Sequence, residues 1–140
     1  MANSTMNWPS PGLGHAPSYQ VSGIPFVTSS TALSSQAVVA INFPYVTRWV
    51  HVRNLDQTAH LRLGFSSNGL NNGYYILLQD FNKANSEITL DVKCSSIYVM
   101  SNTAANINFS VAAGLTSIPT SELANTGPSG NNWSGSSGVG

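Results

Sequence analysis

The feature that most narrows the possible folds is a strict alternation in the stretch EITLDVK. Ile88, Leu90 and Val92 are apolar, and Glu87, Thr89, Asp91 and Lys93 between them are polar. Successive side chains of a strand point to opposite faces, so this period of two describes a strand with one face on a core and the other in water. The pattern resumes after Cys94 in SSIYVM, with Ile97, Val99 and Met100 apolar. The Cys94-Ser95-Ser96 link has the length of a tight return, and the two strands are expected to pair antiparallel.

Segments of the same kind recur at 20–27, 36–43, 46–54, 59–65, 74–79, 87–93, 96–101 and 106–113, which makes eight expected strands. The first is interrupted by Gly23 and Pro25, which suits only an edge or a bulge. In the third, Val46, Val50 and Val52 share a face with Arg48, and Thr47, Trp49, His51 and Arg53 share the other. Leu61, Leu63 and Phe65 point inward from the fourth, as do Ile107, Phe109 and Val111 from the last. Between the strands lie clusters such as Asn54-Leu55-Asp56-Gln57 and Asn71-Asn72-Gly73, residues that tolerate positive φ or bond back to their own backbone. No stretch has the period of an amphipathic helix, although residues 78–86 have room for one turn. Eight half-buried strands need a second layer to cover them. The expected architecture is all-β, an eight-stranded antiparallel jelly-roll β-sandwich, with an immunoglobulin-like sandwich left open by the pattern alone.

The two ends read differently from the middle. Residues 1–19 contain prolines at positions 9, 11 and 17 and no periodicity, as in an extended N-terminal arm. This arm carries Trp8, Pro9, Leu13 and Tyr19, apolar anchors expected to bind a partner. Residues 20–113 are the expected jelly-roll domain. Residues 114–140 hold six glycines and six serines among 27 positions and read as a flexible Gly/Ser/Asn-rich tail with a single large aromatic, Trp133, as a further partner contact. Leu115, Ile118 and Leu123 are placed to pin the first half of that tail to a surface.

Charge excludes several classes of function. Lys and Arg number five, Asp and Glu also five, and together they make up 7% of the chain, against roughly 25% in an ordinary soluble protein. Arg48, Arg53, Arg62, Lys83 and Lys93 are too few for the many phosphate contacts of nucleic-acid binding. A neutral surface does little to keep copies apart, which suits a subunit packed against neighbours. No apolar run approaches the ~20 residues of a membrane span, and MANSTMNWPSPG lacks the regions of a secretory signal, so synthesis in the cytoplasm is expected.

Chemistry has no evident home. The single cysteine, Cys94, cannot form an internal disulfide, and no Cys or His cluster has metal-ligand spacing. His51 and His60 lie on successive expected strands with Asp56 between them, but a zinc site would want a further ligand. GFSSNG at 64–69 is one residue too long between its glycines for a nucleophile elbow. The chain is read as a non-enzyme with no cofactor. Trp49, Tyr74 and Tyr75 are the aromatics able to stack on a sugar.

The stretches WVHVRNLDQTAHLRLGFSSNG and SSIYVMSNTAANINFSVAAGLTSIP, followed by a tail ending NNWSGSSGVG, together resemble the single jelly-roll penton (vertex) and minor capsid proteins of large icosahedral DNA viruses of the algal-virus type. The resemblance covers residues 20–119. It implies a structural virion protein whose copies close as pentamers at the five-fold vertices of the capsid. It further implies that the N-terminal arm reaches the major capsid protein and other minor capsid proteins, and it transfers no catalytic residue. The alternative is a carbohydrate- or receptor-binding β-sandwich of the fibre-head, decoration or lectin-like kind.

The alternation at 87–93 makes a sharp prediction. Leu90→Asp, on the core face, should unfold the chain, whereas Thr89→Asp should leave the thermal melt followed by circular dichroism nearly unchanged. Equal damage from the two substitutions would exclude this strand register.

Overall fold

The structure, a computed structural model, describes residues 12–20, 23–32, 37–103 and 106–123. Among these residues the strands are β1 (Ile24–Ala32), β2 (Val39–Asn42), β3 (Tyr45–Asn54), β4 (Leu61–Gly64), β5 (Ile76–Leu78), β6 (Glu87–Leu90), β7 (Ser96–Ser101) and β8 (Ile107–Pro119). Each overlaps one of the segments that the alternation picks out. Two single-turn α-helices accompany them, α1 (Ala16–Gln20) before β1 and α2 (Ser67–Asn71) between β4 and β5, and a 3-10 turn, Thr120–Glu122, follows β8. The helical turn for which 78–86 has room is therefore absent there and sits at 67–71 instead. Ser66 starts it: its side-chain oxygen accepts the Gly69 N–H at 2.9 Å, satisfying one of the donors a helix start leaves open.

The strands form two four-stranded sheets, β1-β8-β3-β6 and β2-β7-β4-β5, with every pairing antiparallel. The sheets pack face to face as an all-β sandwich. Val50, Val52, Ile107, Phe109, Val111, Ala113 and Leu115 of the first sheet meet Ile41, Leu61, Leu63, Leu78, Ile97 and Val99 of the second in one continuous core. Fully burying an aliphatic or aromatic side chain of this size contributes about 1.5–3 kcal/mol, so this layer supplies most of the driving force.

Three expectations need correction. First, β6 and β7 do not pair with each other. β6 lies against β3 with Val50 opposite Leu90, while β7 runs between β2 and β4 in the other sheet. Both strands turn their apolar face to the same core, and the chain between them steps across from one layer to the other. Thr47 of β3 holds that crossing: its hydroxyl donates to the Val92 carbonyl at 2.8 Å and accepts the Cys94 N–H at 3.0 Å, and its own N–H donates to the Cys94 carbonyl at 3.1 Å.

Second, the last strand does not stop at Ala113. β8 continues to Pro119, with Leu115 in the main core and Thr116 and Ile118 also buried, so residues 114–123 belong to the folded domain and residues 124–140 lie outside the described ones. Third, Val46 does not share a face with Val50 and Val52. The β3–β8 register shifts twice, between Tyr45 and Thr47 and between Thr47 and Trp49. Such a bulge changes which face successive side chains take. Thr47 is thereby turned in beside Cys94, and Val46 packs with Ile118 and Leu123 in a separate small cluster.

The far end of β3 is held by Asn54, which is fully buried. Its amide nitrogen donates to the carbonyls of Ala59 at 2.8 Å, Gln79 at 3.0 Å and Leu78 at 3.4 Å, and its side-chain oxygen accepts the Asp56 N–H at 2.9 Å. One side chain of the first sheet thus satisfies backbone groups at the ends of β4 and β5 in the second.

The edge position of β6 moderates the prediction for its core face. Ile88 and Leu90 pack on the core but are only half-buried, so the charge of Leu90→Asp is partly hydrated and costs roughly 3 kcal/mol, still a large share of the ~5–15 kcal/mol that holds a domain folded. A second prediction comes from the bulge. Gly114 lies opposite Trp49, and a Cβ at 114 would come within 2.2 Å of the indole Nε1. Gly114→Ala should therefore cost about 1–3 kcal/mol in chemical denaturation, and most of that cost should vanish in a Trp49→Ala background, where the clash is gone.

Candidate functional site

Of the residues expected to bind a partner, Trp8, Pro9 and Trp133 lie outside the described residues. Leu13 and Tyr19 are within them, and both pack on the domain itself. They are half-buried against Val46, Ile118 and Leu123, and the Tyr19 hydroxyl donates to the Leu13 carbonyl at 2.9 Å. Burial pushes the Tyr19 phenol above its ordinary pKa. Residues 12–20 are thus folded against the sandwich rather than extended from it. A Cβ at Gly12 would lie 3.6 Å from Glu122 Oε1, so the two ends of the described chain meet at one corner. Beside them, His15, Pro17 and Ser18 form an open groove of about 300 Å³ with Ile24, Leu115 and Thr116.

Two groups of polar side chains centre on arginines, one on each layer. On the solvent face of the first sheet, Arg53 Nε lies 3.4 Å and His51 Nε2 3.8 Å from Glu87 Oε2, and His51 Nδ1 is 2.7 Å from Thr89 Oγ1. The Arg53 guanidinium sits 4.8 Å from the centroid of the Phe81 ring. Arg53 faces Glu87 and His51 faces Thr89 directly across the β3–β6 pair, so these are cross-strand pairs of a half-exposed surface, worth under about 1 kcal/mol each. On the second sheet, Arg62 Nε donates to Asn102 Oδ1 at 2.7 Å and Nη1 to the Leu70 carbonyl at 3.2 Å, with the guanidinium 4.6 Å from the Tyr75 ring centroid. That group fastens α2 to β4.

His51 and His60 are accordingly not brought together, because β3 and β4 belong to different sheets. Among the described residues no three His, Cys, Asp or Glu side chains are grouped so as to hold a metal ion. Cys94 is buried, and desolvation raises its thiol pKa despite the opposing Thr47 hydrogen bond. It is thereby kept from the thiolate form that nucleophilic chemistry needs. The aromatics considered for sugar stacking are also divided: Trp49 lies over Gly114 on the first sheet, and Tyr74 and Tyr75 stand beside β5 on the second. They do not make one platform.

The surface does offer exposed apolar side chains, on β1, at β5, and at Tyr45, Leu55 and Phe81. Ile24 and Val27 on β1 are 48% and 76% exposed, and Tyr74 and Leu77 at β5 are each 41% exposed. Ile24, Val27 and Leu77 are not among the expected contacts, although the absence of charge in IPFVTSSTA and ILL marks both strands. Among the described residues no helix is long and apolar enough to cross a membrane. The chain matches no protein-family model, and no curated protein matches it.

The turn after β3 gives a pH-dependent prediction. Asp56 Oδ1 accepts the N–H groups of Thr58 at 2.8 Å and Ala59 at 2.7 Å. The Thr58 N–H is the main cause holding the carboxyl below its ordinary pKa, with burial opposing it. A lowered folded-state pKa adds stability above the unfolded value of about 3.9 and loses it as pH falls through the folded value. Asp56→Ala should therefore cost about 1 kcal/mol at pH 7, and the difference from the wild type should shrink below about pH 4, as read from urea midpoints across pH.

Proposed function

We propose that this chain is a structural virion protein, a single jelly-roll penton subunit that forms pentamers at the five-fold vertices of an icosahedral capsid. The observation that carries this reading is the strand order. In β1-β8-β3-β6 against β2-β7-β4-β5, first and last strands are neighbours and the chain passes repeatedly between the layers. That order supports the jelly-roll reading, in which two Greek keys interlock as in viral capsid and lectin domains. Within that pair, the capsid reading is favoured by the low charge and the uncharged apolar edges, which suit close packing among like subunits. The lectin or fibre-head reading calls for a shared aromatic platform, and Trp49 stands on the opposite layer from Tyr74 and Tyr75. Partners under this reading are further copies of the chain and the major and minor capsid proteins around the vertex, with the virion as the site of action.

A penton subunit has no chemistry to perform, so its mechanism is geometric. Each copy presents one side to the next, and a rotation of one-fifth of a turn closes the ring. The test is the native mass of the full chain measured by light scattering over a range of concentrations. A five-copy species is expected. A trimer that binds glycans would replace this reading with the fibre-head one, and a chain that stays monomeric throughout would also overturn it.

A further inference from the structure

We infer that the fold leaves Asn72-Gly73, and not Asn68-Gly69, as a site of spontaneous covalent modification, at which the Asn72 amide becomes a carboxylate; this stands apart from the assembly proposed above. The chain contains these two Asn-Gly dipeptides, one within α2 and one just past its end. Such a pair reacts when the glycine nitrogen reaches the asparagine side-chain carbon, because glycine has no side chain to stand in the way. The two pairs sit in opposite surroundings. Gly69 is buried, and its N–H donates to Ser66 Oγ at 2.9 Å. Asn72 and Gly73 are both exposed, and among the described residues nothing accepts the Gly73 N–H.

The turn itself demands the reactive residue. Gly73 has φ +88°, a conformation that favours glycine, and the space where its Cβ would stand is open to 4 Å. The Asn72 side chain lies back over α2, its Nδ2 donating to the Asn68 carbonyl and to Asn68 Oδ1, each at 2.8 Å. Both bonds are exposed, so water replaces them at small net cost when the side chain swings toward Gly73. For Asn68 the same movement requires Gly69 to leave Ser66 and the turn of α2 to open. The step at Asn72 is a ring closure. The Gly73 nitrogen gives its proton to water and bonds to Asn72 Cγ; the Cγ–Nδ2 bond breaks, and ammonia leaves with a proton taken from water. Water then opens the five-membered imide at either carbonyl, giving aspartate or isoaspartate with no change of oxidation state. A carboxylate at 72 takes the chain from a formal net charge of zero to one negative charge. It also faces two oxygens of Asn68 with no proton to donate, which loosens the end of α2, while buried Leu70 and the Arg62 bond to its carbonyl hold the remainder.

The experiment incubates the full-length protein in mildly alkaline buffer and follows the tryptic peptide 63–83, which holds both dipeptides, by tandem mass spectrometry over time. Fragment masses assign the conversion to one asparagine or the other. In the folded protein Asn72 should convert at least about tenfold faster than Asn68, a barrier difference of about 1.4 kcal/mol. In concentrated urea, where neither glycine is held, the two rates should converge. Equal rates at the two sites in the folded protein would overturn the inference. So would an Asn72 that stays intact in the folded protein while it converts in urea.

Discussion

Strand β3 depends on two buried polar side chains, one near each end, and much of the rest of the sandwich is arranged around them. Thr47 bonds to the segment that steps from the first sheet to the second, and Asn54 bonds to carbonyls at the ends of β4 and β5. Packed sheets stand about 10 Å apart and are otherwise joined by contacts without direction, which resist sliding poorly. A buried amide or hydroxyl is different, because leaving its partners unsatisfied costs about 1–3 kcal/mol for each group. The two clamps therefore define how one layer sits over the other more than they add to the total stability.

The bulge in β3 follows from the same arrangement. Thr47 must face inward to reach the crossing segment, whereas Val50 and Val52 must face inward to fill the core, and positions 47 and 50 have opposite parity on a regular strand. The register shifts reconcile them and free Val46 for a second, smaller cluster. That cluster is what holds Leu13 and Tyr19 at one end and Leu123 at the other. The corner where the two ends of the described chain meet is thus a consequence of an irregularity in the middle of the first sheet.

The surface divides as sharply as the interior. Charged side chains gather on the solvent face of β3 and β6, where Arg53, His51 and Glu87 pair, and around Arg62 on the second sheet. β1, β2 and β5 carry no charged residue, whereas the edge strand β6 carries Glu87 and the link before it Asp80 and Lys83.

How much of this was legible without the structure depended on distance along the chain. The alternation of Ile88, Leu90 and Val92, or of Ile107, Phe109 and Val111, is a local property: each side chain's direction follows from the residue beside it, and all the strands overlap where that pattern places them. Two four-stranded layers followed from the need to cover eight half-wet faces. Which strand lies beside which did not follow, because backbone groups of any strand can bond any other and the choice is made by packing across the whole core. So β6 and β7, adjacent in sequence, ended in different sheets, and His51 lies in the first sheet while His60 precedes a strand of the second. The extension of β8 through Gly114, a residue that reads as the start of a loose tail, was decided by Trp49 lying over the space a side chain would have filled. The sequence by itself determined the strands and, outside the start of β3, their inward faces; the tertiary structure alone decided the pairing, the bulge and which strands lie at the edges, since those depend on contacts between residues far apart in the chain.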